Sequence, residues 1–179
     1  MSARDVQRAK VYAAEEFVRT LFTRAGEHSG RTLEFFGTSL TLPPEARFAS
    51  LAAVRRYVEH VLALPAVREA WPQAPPVTVR ARRGLSAAHY EHRAGEHRTG
   101  TGVIAVPEHT GAGPGAGGWA LRELVVLHEI AHHLCPDPPA HGPRFAATMC
   151  LLAESVMGPE AGHVLRVVYA KEGVRLGGR

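Results

Sequence analysis

The chain has 179 residues, 45% of them hydrophobic and 21% charged, with a formal net charge of +4. This is ordinary globular composition, with enough chain for one domain and a sizeable core. No apolar run approaches the length of a membrane span, and the N-terminal M-S-A-R-D-V-Q-R-A-K carries charge where a secretion signal needs an apolar core, so a cytoplasmic protein is expected.

Two cysteines, Cys135 and Cys150, with no C-x-x-C, fit a reducing compartment, with a disulfide or a metal role for them as the minor alternative. The basic residues are almost all Arg, which permits a nucleic-acid or acidic partner without requiring one.

In chain order, Ser2 to about Ala25 reads as a helix. Ser2-x-x-Asp5 can form a capping box, and Val6, Ala9, Ala13, Phe17 and Leu21 mark an apolar stripe. Arg31 to Leu42 favours strand, alternating on either side of Gly37. A second helix is expected from about Ser50 to Leu64, its core face carried by Leu51, Val54, Val58, Val61 and Leu62, with Pro65 as its stop. Trp71 to Pro76 is a loop. Val77, Val79 and Ala81 alternate with Thr78, Arg80 and Arg82, the pattern of a half-buried strand.

A hairpin follows, with Ala87 to Arg93 as one arm and Gly102 to Pro107 as the other. The run Val103-Ile-Ala-Val106 predicts a well-covered strand. If that strand is a sheet edge, it can pair with an extended substrate peptide. The surrounding arginines and histidines predict a solvated sheet face more readily than a binding surface. Gly111 to Gly118 is a low-complexity connector, placed where a lid would sit, and it lacks the G-K-[ST] ending of a phosphate loop.

The next stretch carries the chemistry. Trp119 to Leu134 has helical apolar spacing at Leu121, Leu124, Leu127, Ala131 and Leu134, and it contains His128-Glu129-x-x-His132. Residues four apart stack on one helix face, so His128 and His132 can grip one ion. Glu129 projects about 100° round from His128 and can reach a water on that ion. With 11 His in the chain, an accidental H-E-x-x-H has roughly one chance in twenty, so the context has to carry the reading. That context is the apolar spacing before the motif and the stop at Pro136, Pro138 and Pro139 after it.

Catalytic zinc takes three protein ligands and leaves a fourth position open. The metzincin continuation fails, because its Gly position is Cys135 and its third His position is Pro138. His133 sits about 100° round the helix from His132 and is a poor ligand. Two third ligands remain open: His141, past the Pro-rich turn, and Glu154, on the following helix. That helix opens at His141-Gly-Pro-Arg-Phe145, with Pro143 at its first position, and carries Phe145, Met149, Leu152 and Val156. A last helix spans about Pro159 to Lys171, burying Val164, Leu165, Val168 and Tyr169.

H-E-I-A-H-H-L…H-G-P-R-F resembles the H-E-x-x-H…H-G-x-x-F signature of SprT-like zinc metalloproteases. Over most of its length, including M-G-P and L-R-V-V-Y-A-K-E-G-V, the chain also resembles a bacterial family of H-E-x-x-H metallohydrolases of unassigned activity. The resemblance implies His128, His132 and His141 as the ligands of one zinc ion and Glu129 as the catalytic acid/base. It also implies a compact zincin-like α+β domain over residues 1–179, with a small, mostly antiparallel sheet packed on helices. SprT-like proteins often carry a C-terminal zinc ribbon. This sequence has no cysteine pairs to build one, so action at DNA–protein crosslinks is not expected.

The expected function is zinc-dependent hydrolysis, first of a peptide bond in a peptide or protein substrate. A zinc-activated water would attack while Glu129 serves as general base. Tyr90, His163, Arg166 and Tyr169 are candidates for stabilising the oxyanion, although each also suits packing or solvent. The alternatives are a zinc hydrolase of a non-peptide amide or small metabolite, and a non-catalytic, metal-stabilised module that could bind nucleic acid.

Overall fold

The computed structural model describes residues 4–82, 88–92, 101–107 and 121–177. The Gly-rich connector at 111–118 and the hairpin turn around 95–100 lie outside the described residues. The protein is α+β, as expected, and divides into two compact units. Among the described residues, no helix is long and apolar enough to cross a membrane.

The first unit comprises Met1–Glu45 and Asp137–Arg179. It contains α1 (Arg8–Glu27), a hairpin of β1 (Thr32–Phe35) and β2 (Thr38–Thr41), α5 (Pro143–Met157) and α6 (Pro159–Lys171). Helix α6 packs against both α1 and α5. α1 starts later than the Ser2 expectation, and its buried face is Val11, Ala14, Val18, Leu21, Phe22 and Ala25. Val6 is exposed and Phe17 partly so. The chain carries two overlapping apolar stripes here, sharing Leu21, and the one buried runs through Val11, Val18 and Phe22.

The hairpin turns through Phe36 and Gly37, with φ of 47° and 81°. Two positive-φ residues make a two-residue type I′ turn, whose twist matches that of the strands. Phe36 is an uncommon residue there. Its ring packs edge-on against Phe35, with centroids 4.7 Å apart, and lies under the Lys171 ammonium at 4.4 Å. Both contacts offset the left-handed backbone.

The second unit, Ala46–Pro136, holds α2 (Leu51–Ala63), α3 (Pro65–Ala70), β3 (Val77–Arg82), β4 (His89–His92), β5 (Gly102–Pro107) and α4 (Glu123–Leu134). Ser50 caps α2 by accepting the Ala53 N–H, a contact worth about 1 kcal/mol. Pro65 ends α2 as expected, but it also occupies the first turn of the short α3. A proline there lacks only an N–H that a helix start leaves unused.

The sheet runs β3-β5-β4, with β3 parallel and β4 antiparallel to β5. Strand β5 is buried at all six positions, in keeping with its apolar run. Being central, it has both edges paired, so it cannot take up a substrate strand. The condition for pairing with a substrate peptide is therefore not met. Helix α2 packs on β3, and α4 packs on β4, β5 and α2. Eleven of the twelve residues of α4 are buried, more than one apolar stripe would require. This helix is a core element rather than an amphipathic surface helix.

Candidate metal centre

Helix α4 is held at its start by a buried carboxylate. Glu123 accepts the Ala46 N–H at 2.7 Å and the Tyr57 hydroxyl at 2.6 Å, and its own N–H bonds the Ala46 carbonyl. The helix stops at Cys135, just before the prolines. Between these ends the 3.6-residue period does what the motif predicts. His128 and His132 meet with Nε2 atoms 3.1 Å apart and ring planes 77° apart. For a tetrahedral ion with zinc–nitrogen bonds of about 2.0–2.1 Å, two ligand nitrogens stand roughly 3.3 Å apart. The pair is thus spaced to share one ion with little rearrangement.

Glu129 follows His128 and is only 5% exposed. A carboxylate so buried is kept by partners or by function. The next histidine behaves differently. His133 Nε2–H donates to the Pro75 carbonyl at 2.9 Å, and Nδ1 faces the Tyr90 hydroxyl at 3.4 Å. It is an anchor between α4, β4 and the loop before β3. Gly102 makes room for it: a Cβ there would lie 2.5 Å from His133 Nδ1 and 2.8 Å from the Tyr90 hydroxyl.

Tyr90 stands beside the pair. Its ring is parallel to that of His132 within 11°, with centroids 6.5 Å apart, and burial pushes its phenol pKa upward. Of the other oxyanion candidates, Tyr169 is fully buried and donates to Glu15 at 2.7 Å. Arg166 pairs with Glu154, and His163 is exposed and edge-on to Phe35.

His141 sits just before α5, 5% exposed, with its Nδ1 2.7 Å from a carboxylate oxygen of Asp5. The expected ligands are thus three imidazoles, two on α4 and the third just ahead of α5. Imidazole donors suit zinc among several transition ions, so the chemistry of this set fits the expected metal. Glu154, the rival third ligand, commits its carboxylate to Arg166 one helix on. Both cysteines are buried. Burial raises the Cys150 thiol to about 12, which makes it inert.

No protein-family model matches the chain, and no curated protein or solved structure matches it either.

The basic sheet region is partly self-contained. Glu91 accepts from Arg80 at 2.5 Å and from His89 at 2.7 Å, and Arg82 contacts the other His89 nitrogen at 2.9 Å. The His89 hydrogen bond, followed by the Arg80 charge and hydrogen bond, holds the Glu91 carboxyl below its usual range.

Two residues gain roles that their sequence context does not show: the pattern makes Asp5 a helix cap and Gly102 only the start of a strand. The signal for Gly102 is a glycine opening an otherwise bulky apolar run. Nothing local marks Asp5, whose partner is 136 positions away.

Proposed function

We propose that the protein is a zinc-dependent hydrolase, and specifically a metallopeptidase. The observation that carries the reading is the pair His128 and His132, with Nε2 atoms 3.1 Å apart on one helix, and the buried Glu129 beside them on that helix. His128, His132 and His141 would hold the ion. Zinc, when bound, would supply Lewis acidity and lower the pKa of a water towards about 7.

Glu129 is the residue that would take up a proton on its carboxylate and hand it to the leaving amine. Peptide bonds are the proposed substrate class, because a helical histidine pair with an intervening glutamate is the arrangement metallopeptidases use for them.

The test is metal analysis and proteolysis on purified full-length protein. Wild type and Glu154→Ala should carry about one zinc per chain, and His141→Ala should lose most of it. Glu129→Gln should keep the metal and lose cleavage of an unfolded protein substrate and of quenched fluorescent peptides. Unchanged cleavage by Glu129→Gln would overturn the enzymatic reading. Full zinc in His141→Ala would overturn the ligand set. Hydrolysis of small amides with no action on any peptide would replace the substrate class.

A further inference from the structure

His141 is not held in place by its own helix. Two residues of the segment before α1 hold it. Asp5 accepts the His141 backbone N–H at 3.3 Å and, through its other oxygen, the ring Nδ1–H at 2.7 Å. Gln7, itself 4% exposed, donates to the His141 carbonyl at 3.3 Å. Gln7 is fixed in turn by Arg175, whose carbonyl accepts from Nε2 at 3.3 Å and whose N–H donates to Oε1 at 2.7 Å. The ring is flanked by Tyr12 and Phe145, with centroids at 5.0 and 5.1 Å.

An ionised carboxylate can only accept. The Asp5 contact therefore places the His141 proton on Nδ1 and the lone pair on Nε2. The paired contact to ring and backbone also fixes the ring's rotation. A carboxylate behind a metal-binding imidazole does both of these things, and it makes the ligating nitrogen more basic.

We propose that Asp5 is the positioning residue of the metal centre: it presets the tautomer and direction of His141 so that Nε2 is presented as the third ligand, and Gln7 fixes the backbone beneath it. This rests on the three-histidine zinc reading. It assigns to the segment before α1 a role in metal affinity, where the sequence pattern offered only a helix cap.

The experiment is zinc affinity of the full chain, measured by competition with a chromophoric chelator, alongside thermal melting of the metal-free protein. Asp5→Ala should weaken zinc binding by about 10–100-fold, the usual effect of removing such a partner. Asp5→Asn, which keeps an acceptor but not the charge, should fall between Asp5→Ala and wild type. In a His141→Ala background, Asp5→Ala should cause no further loss, whereas a merely structural role would lower affinity equally in both backgrounds.

Wild-type affinity in Asp5→Ala, or an equal loss in both backgrounds, would overturn the proposal. If Asp5→Ala does not fold, Asp5→Asn alone and in the His141→Ala background decides by the same comparison. Failure of the underlying zinc reading looks different: wild type then binds no zinc, or His141→Ala binds it as wild type does.

Discussion

The Tyr90 ring lies parallel to the His132 ring within 11°, and its hydroxyl points at the neighbouring His133 from 3.4 Å. The parallel rings lie within reach of offset stacking, whereas the hydroxyl contact is long for a hydrogen bond. The two halves of the side chain should therefore separate by mutation. Tyr90→Phe should keep wild-type zinc affinity and lose no more than about 1 kcal/mol of stability. Tyr90→Ala removes the stacked face and should weaken zinc binding measurably. Chelator competition on both variants checks this, and equal losses in the two would assign the effect to the hydroxyl.

Adjacent histidines on α4 should give opposite phenotypes. His133→Phe deletes the bond to the Pro75 carbonyl and should cost ~1–3 kcal/mol in urea unfolding while the chain still binds zinc. His132→Ala should abolish stoichiometric zinc with a smaller effect on the metal-free protein. A His133 variant that unfolds normally but loses its metal would make His133 a ligand.

Gly102→Ala tests the same junction from the strand side. Its Cβ would meet His133 and Tyr90 at 2.5 and 2.8 Å, and His133 is held by its bond to Pro75. Overpacking of this kind costs about 1–3 kcal/mol. The thermal midpoint should drop, and Tyr90→Phe should relieve part of the loss, since it removes one of the clashing atoms.

The Glu123 anchor should matter for stability rather than chemistry. Glu123→Ala removes the acceptor for the Tyr57 hydroxyl and the Ala46 N–H, at an expected cost of roughly 1–3 kcal/mol. In Tyr57→Phe the same substitution should cost less, because one of the two stranded donors is already gone. A double-mutant cycle in denaturant measures the difference.

Tyr169 makes the fold sensitive to alkali. Burial, then the Glu15 charge, pushes its phenol pKa well above 10, so the folded state holds this proton more tightly than the unfolded chain does. The stabilisation is complete below about pH 10 and is lost as pH rises beyond that. Unfolding free energy should therefore fall with pH above about 10, and Tyr169→Phe should flatten that slope while lowering stability at neutral pH. An unchanged slope in Tyr169→Phe would place the alkaline sensitivity elsewhere.

Features that depend on neighbours within a turn or two of chain are legible in the sequence. The 3.6-residue period brings His128 and His132 onto one face of α4, Ser50 starts α2, and Pro143 opens α5. These follow from local backbone geometry, which a few consecutive residues encode completely. Only the tertiary structure decided which of two apolar stripes α1 buries, that β5 is central rather than an edge, and why residue 102 has no side chain. It also decided that Asp5 serves His141 instead of a helix cap. Each of these depends on partners tens to more than a hundred positions away. Spacing along the chain carries no record of such partners, because packing and hydrogen-bond satisfaction choose them only once the elements have come together.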